Sequence, residues 1–259
     1  MSARDDSRPY RVISIVVSQG CELARWLLER AGLPFVEQFH APLLHVLATT
    51  RVNGGVEAPV VVTPDGVWVT LMGIMEGIDA HSPAGRKVFG ESEGDRLENE
   101  AFLAQLMPLF GDPLRRYVYH LVLPNKRVMY PLASAGAPAW ERAVVYWFYP
   151  VWRVLLSRAL GDAPADIAAA PGIIEQGMAL VDAELARRGG RYLAGEAQGG
   201  IDVVVAALMS PAVFPPQYGG RLPDLADVPS ELRDFVTRNR DRPGGRLALA
   251  TYASVRKPS

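Results

Sequence analysis

Little in this 259-residue chain points to metal, disulfide or polyanion chemistry. It has one cysteine, Cys21, so neither an intrachain disulfide nor a multi-cysteine metal site can form, and a reducing, intracellular setting is expected. His40, His45, His81 and His120 show neither HxxxH nor HExxH spacing, so no metal is expected. Charge of one sign is lacking too. The 27 Lys and Arg face 28 Asp and Glu, which leaves no basic field for nucleic acid or an anionic membrane. No apolar run approaches the ~20 residues of a membrane span. The polar start MSARDDSRPYR also lacks the features of a secretory signal, so a cytoplasmic location is expected. What is present is an ordinary core: 49% hydrophobic and 21% charged residues exclude a disordered chain and suit one or two domains.

The lone thiol sits where a strand turns into a helix. Val12 to Val17 is β-branched and apolar, too short for a helix and right for a buried strand. Ser18-Gln19-Gly20 follows as a turn, with Ser18 a good cap for a helix over Cys21 to Ala31 that Gly32 closes. Phe35 to Phe39 is a second strand, parallel to the first because a helix connects them. A short helix near Leu43 to Thr49 precedes a loop at Asn53-Gly54-Gly55. Ala58 to Val62 and Val67 to Val69 then form a hairpin around Pro64-Asp65-Gly66, and Thr70 caps a helix to Asp79.

Beyond a polar stretch ending at Arg96 the strand signal disappears. Helical patterns cover Leu97 to Phe110, Ala139 to Leu160 (interrupted at Pro150), Ile173 to Arg188, Ile201 to Met209 and Ser230 to Asn239. The expected organisation is a tail over residues 1–10, an α/β unit over 11–81, a linker over 82–96 and an all-helical domain over 97–259.

This order of elements resembles the glutathione transferase superfamily, and particular residues agree. Ser18-Gln19-Gly20-Cys21 with Arg25 and Gly32 is similar to the family's opening SxxS or SxxC turn. Ala58-Pro59-Val60-Val61 is similar to the segment in which a cis-proline precedes the third strand. Asp65-Gly66, Ile74, Glu76, Ile78 and Asp79 match the following hairpin and helix. Tyr192 to Glu196 with Asp202, and Arg242 to Arg246 with Tyr252, resemble C-terminal motifs of the family. The resemblance implies a thioredoxin-like N-terminal domain, an all-α C-terminal domain, glutathione as co-substrate and a homodimer.

It also implies roles for residues. Ser18 would hydrogen-bond the glutathione sulfur and favour the thiolate, the nucleophile; read alone, it is a helix cap. Cys21 is either a thiol able to form a mixed disulfide with glutathione, without a resolving partner, or a small buried residue. Ala58 and Pro59 would present backbone to the cysteinyl unit. The γ-glutamyl group would lie at Thr70 and Leu71, and here the sequence departs from the pattern: the usual acidic residue is Thr70 and the usual serine Leu71. Leucine cannot donate to a carboxylate, which removes a charge-assisted hydrogen bond of roughly 1.5–3 kcal/mol. Arg51 or His45 would meet the glycyl carboxylate. Gly199, three residues before Asp202, replaces a capping Ser or Thr and bears on stability.

The second half is rich in aromatics: Tyr117, Tyr119, Tyr146, Trp147, Phe148, Tyr149 and Trp152. Tyr146, Tyr149 and Arg153 fall on one helical face unless Pro150 rotates it. Tyr117, Tyr146 and Tyr149 are the candidates for a pocket holding a small hydrophobic electrophile, flat or aromatic. The leading expectation is a glutathione transferase. The alternatives are a ligand-binding protein that has lost conjugation, which Leu71 and Thr70 favour, and a Cys21-dependent reductase.

Overall fold

The structure, a computed structural model, describes residues 9–255, and the side chains to Ser254. Strand β1 (Tyr10–Ser14), helix α1 (Gln19–Ala31), strand β2 (Phe35–Phe39), helix α2 (Val46–Asn53), strands β3 (Val60–Thr63) and β4 (Gly66–Trp68) and helix α3 (Leu71–His81) come first. The sheet runs β2-β1-β3-β4. β1 lies parallel to β2, with Tyr10 opposite Phe35, and antiparallel to β3, with Val12 opposite Val61. The expected tail of ten residues is shorter at its inner end, because Tyr10 opens β1 and packs edge-on against Trp68 at 5.4 Å. Residues 1–8 of that expectation lie outside the described residues.

β1 ends at Ser14, three residues before the apolar run does. The Ser18 N–H donates to the Ile15 carbonyl at 3.0 Å, so Ile15 to Val17 turn out of the sheet despite their β-branched side chains. Ser18 then caps α1 from an extended conformation, its Oγ accepting from the Cys21 N–H at 3.4 Å. Gly32, at φ 72°, ends the helix with its N–H on Glu29 and Leu28 carbonyls.

From residue 93 on every element is a helix: α4 (Glu93–Phe110), α5 (Asp112–Val122), α6 (Lys126–Ser134), α7 (Ala139–Trp147), α8 (Tyr149–Leu160), α9 (Pro164–Arg188), α10 (Gly200–Val213), α11 (Ser230–Arg240) and α12 (Pro243–Val255). α4 starts four residues ahead of Leu97 because Ser92 and Asp95 form a reciprocal capping box. The expected helix over Ala139 to Leu160 breaks at Phe148, with Pro150 accommodated in the first turn of α8. Three helices carry no prior expectation. α5 and α6 are short and amphipathic, and Pro131 lies inside α6. α12 opens on Pro243-Gly244-Gly245, which reads as a breaker. A Cβ on Gly245 would lie 1.8 Å from the Asn239 carbonyl oxygen, so the glycine serves a close approach to the end of α11.

Every residue of α10 is buried, making it the central helix of the core, and α1 packs on it. A buried ion cluster reinforces that junction. Arg25 donates bidentately to Glu37 at 2.6 and 2.7 Å and to Glu22 at 2.5 Å. The other Glu22 oxygen accepts from the Gly219 N–H at 3.0 Å and the Tyr252 hydroxyl at 3.3 Å. A second tie holds the segment after β2: Glu141 of α7, fully buried, meets His40 Nδ1 at 2.6 Å and the Ala41 N–H at 2.7 Å, while Trp152 Nε1 donates to Pro42 O at 2.9 Å.

Gly199 stands at the N-cap of α10. The Asp202 carboxylate performs the local capping, accepting from the N–H groups of Gly199 at 2.8 Å and Leu193 at 2.7 Å. A Cβ on Gly199 would come 2.5 Å from Ala194 Cβ, so restoring the missing hydroxyl forces a shift. A serine cap is worth ~1 kcal/mol, against roughly 1–3 kcal/mol for overpacking. Gly199→Ser is therefore expected to lower Tm by a few degrees, and adding Ala194→Gly to restore it; a rise in Tm for the single variant would contradict the close approach.

Candidate functional site

A cavity of about 560 Å³ opens where the α/β unit meets the helices. That volume is typical of small-molecule sites. Its α/β wall is the first turn of α1 (Ser18, Gln19, Gly20), the Ala58–Pro59 peptide and Thr70 with Leu71. The Ala58–Pro59 bond is cis. Its opposite wall comes from α5, α6 and α8, with Phe214 at the end of α10. The structure thus brings together Ser18, Ala58, Pro59, Thr70 and Leu71 of the residues singled out in the sequence.

Backbone strain converges on the same space. Among the described residues, the non-glycines with left-handed φ are Leu43 (71°), Thr70 (60°) and Phe214 (44°), and all three line the cavity. Each such conformation costs on the order of 1–3 kcal/mol and persists where surrounding structure over-determines it, commonly at ligand sites. Thr70 is held by its role as the α3 cap, its Oγ1 accepting from the Gly73 N–H at 3.1 Å. Phe214 is held by Arg240, which donates to its carbonyl at 2.7 Å.

Ser18 is half-buried at the N-terminus of α1, where unpaired backbone N–H groups and the helix dipole favour negative charge. Leu71 fills the flank of that turn. A Cβ on Gly20 would lie 3.0 Å from Leu71 Cδ2 and 3.3 Å from Pro59 Cδ, so the leucine packs over the helix start where a serine would offer a hydroxyl. The charged lining is sparse. Arg115 sits 2.6 Å from Asp112, and Glu57 is the other charged residue. His45 also lines the cavity; its Nε2 lies 2.9 Å from Val56 O, and burial pushes its pKa down. A neutral imidazole gives an anion no counter-charge. Arg51 is not part of the lining.

Cys21 lies behind this wall rather than in it. It is fully buried, its Sγ accepts from the Ile15 N–H at 3.3 Å, and burial pushes its pKa up. A sealed, protonated thiol is a poor nucleophile, so the geometry corrects the placement of Cys21 among catalytic candidates.

The three tyrosine candidates are corrected too, since none lines the cavity. Tyr117 points to the other side of α5, its hydroxyl 3.0 Å from Glu231 and its ring on Phe235; burial pushes its pKa up to about 12. Tyr149 is buried, donating to Leu123 O at 2.8 Å. Tyr146 meets Tyr130 and Trp147 edge-on, with the Lys126 ammonium 4.0 Å from its ring centroid. Tyr119 is the tyrosine that does line the cavity. Two residues apart on a helix means about 200° of rotation, so Tyr117 and Tyr119 face opposite ways. Arg115, Val118, Tyr119 and Val122 form the cavity stripe of α5 at i, i+3, i+4, i+7; that spacing was the available signal. The Tyr119 hydroxyl has no hydrogen-bond partner among the described residues, and burial pushes its pKa up, keeping it a neutral donor.

Neither a family model nor a curated protein matches the sequence. Solved structures do match its fold. One is a glutathione S-transferase from Rhodospirillum rubrum, 19% identical, with 96% of each chain covered and a TM-score of 0.54. Another is a glutathione S-transferase from Methylobacillus flagellatus with glutathione bound, 13% identical over 93% of each chain, TM-score 0.57. A third, from Methylobacterium radiotolerans in complex with glutathione sulfonate, is 16% identical over 93% of this chain and 95% of that one, TM-score 0.55.

Proposed function

We propose that this chain, whose fold is that of the glutathione transferases, is a glutathione-dependent transferase acting on a small hydrophobic electrophile. The observation that carries this reading is the convergence on one cavity of Ser18 at a helix N-terminus, the Ala58–Pro59 backbone and three strained non-glycine residues. In this reading the Ser18 hydroxyl donates to the glutathione sulfur, and the α1 dipole favours the thiolate over the thiol. The thiol proton passes to water. The sulfur lone pair then forms a C–S bond to the electrophile, and the leaving group departs with its electron pair. The Ala58 backbone N–H and C=O are the contacts for the cysteinyl unit. Leu71 and Glu57 make the grip on the γ-glutamyl and glycyl carboxylates weak, so saturation needs high glutathione.

A homodimer and a cytoplasmic location belong to the same reading. Trp147, Phe148 and Val151 are 75%, 62% and 58% exposed, apolar surface of the kind a partner covers. The proposed division of the chain into an α/β domain to about residue 81 and a helical domain beyond 96 places the cavity between the two.

The second reading, ligand binding without conjugation, draws its support from Leu71. One assay separates the two: conversion of an iodoalkane to its glutathione thioether, followed by mass spectrometry. A rate well above that in protein-free buffer is expected, and no acceleration at saturating glutathione would remove the transferase reading.

A further inference from the structure

The near-neutral charge of the whole chain conceals a local imbalance. From Lys126 to Arg158 there are five cations, Lys126, Arg127, Arg142, Arg153 and Arg158, and one carboxylate, Glu141. Glu141 is buried against His40 and the Ala41 N–H. The four arginines form no ion pair among the described residues, and Arg127, Arg142 and Arg158 are exposed. The same stretch presents large apolar side chains to solvent: Trp140, Trp147, Phe148, Val151, Val154 and Leu155 are all exposed.

These residues share one face because α7 and α8 meet without a loop. The Phe148 N–H donates to the Val144 carbonyl and the Trp152 N–H to the Phe148 carbonyl, both at 2.9 Å. Pro150 has no N–H to offer the Tyr146 carbonyl, and the Lys126 ammonium donates to it instead at 2.7 Å. The helical period therefore runs through the joint. Glu141, Val145, Tyr149, Trp152 and Leu156 make the buried stripe. Trp140, Trp147, Val151, Val154 and Arg158 recur at spacings of three, four and seven residues on the outward one. Arg142 and Arg153 lie one turn before Tyr146 and two turns after it, on the edge of the band where Lys126 meets that ring.

We propose that this face of α7 and α8 docks on an anionic bilayer surface, its apolar band at the boundary of headgroups and acyl chains and its arginines on the lipid phosphates. No helix among the described residues is long and apolar enough to cross a membrane, so the chain lies on the bilayer. The pattern is that of an interfacial helix, with Trp, Phe and Leu on one face and basic residues beside them. Tryptophan suits the headgroup layer because its ring is apolar with a polar edge. Charge selects a bilayer over a second copy as the occupant. A two-fold interface sets a face against itself, and with no exposed carboxylate from Lys126 to Arg158 the arginines would gain no counter-charge. Anionic headgroups supply one to each. A homodimer through another surface leaves this face free, and the docking does not depend on the transferase chemistry.

The test is sedimentation of the full-length protein with vesicles of phosphatidylcholine alone and of equimolar phosphatidylcholine and phosphatidylglycerol, at low and at physiological salt. Binding to the anionic vesicles should be at least about tenfold tighter than to the neutral ones, since each cation at an anionic surface contributes about fivefold. It should weaken as salt rises. Trp147→Ser with Phe148→Ser removes two large side chains from the band and should weaken binding at least about tenfold. Arg142→Gln with Arg158→Gln should cost roughly 10- to 30-fold on anionic vesicles and little on neutral ones. All four positions are exposed, so Tm should stay within about two degrees of wild type in both double variants. No sedimentation with anionic vesicles, equal binding to neutral and anionic vesicles, or double variants that sediment like wild type would overturn the proposal. Light scattering that finds wild type a dimer and Trp147→Ser with Phe148→Ser a monomer would overturn it too, because the face would then belong to a second copy.

Discussion

Arg25→Leu is expected to lower the unfolding free energy by about 3–5 kcal/mol, the cost of removing one partner from a buried ion cluster. Arg25 is 4% exposed and Glu22 is fully buried. With the guanidinium gone, Glu22 and Glu37 would share a desolvated space with three charge-assisted hydrogen bonds lost. The N–H of Gly219 and the hydroxyl of Tyr252 still reach Glu22, but they are neutral donors. At about 2–4 °C per kcal/mol for a chain of this size, Tm should fall by ~10 °C. Arg25→Lys should lie between, since an ammonium cannot reproduce the bidentate fork to Glu37. A Tm within two or three degrees of wild type for Arg25→Leu would show that the cluster relaxes into water and contributes little. The choice of Arg25 matters because α1 carries Ser18 at one end and the cluster in its middle, so the same helix that presents the site is anchored by the ion group.

Ser18→Ala is expected to reduce kcat/KM for thioether formation by roughly 10- to 100-fold, from a hydrogen bond to a charged sulfur worth about 1.5–3 kcal/mol. The variant also loses its bond to the Cys21 N–H and with it about 1 kcal/mol of helix capping. A fall in activity alone would therefore be ambiguous. The pH dependence is the discriminating readout. If Ser18 donates to the thiolate, the apparent pKa governing kcat/KM for the electrophile at saturating glutathione belongs to bound glutathione and must rise in Ser18→Ala, because the ionised form has lost its donor. A purely structural role leaves that pKa in place while lowering Tm. Ser18→Thr, which retains a hydroxyl, should keep both.

The N-terminal half of the site was legible because its signals are local. An apolar β-branched run, a capping serine and Gly32 at a left-handed helix end define β1 and α1, and the Ala58-Pro59 pair is visible as it stands. The helical wall was not legible, for physical reasons that can be named. α5 holds only eleven residues and begins at Asp112-Pro113 just after Gly111, so its start looks like a loop. Without the helix, the stripe of Arg115, Val118, Tyr119 and Val122 has no period to belong to, and the density of tyrosines is the stronger sequence signal. Density misled because Tyr117, Tyr146 and Tyr149 serve packing and side-chain hydrogen bonds. Leu43 and Phe214 carry no sequence sign at all: their left-handed backbones are imposed by tertiary context, against the intrinsic preference of large side chains. Gly199 shows the converse, an apparent loss of a cap that the Ala194 contact makes necessary.

Leu71 governs how tightly glutathione is held, since it packs over Gly20 where the resemblance implies a serine. The most direct measurement is calorimetric titration of glutathione into the wild-type protein and into Leu71→Ser. Wild type should give measurable heat in the millimolar range. Leu71→Ser should bind at least about tenfold more tightly, as one charge-assisted hydrogen bond to the γ-glutamyl carboxylate is restored. No heat from either protein at millimolar glutathione would contradict the site itself.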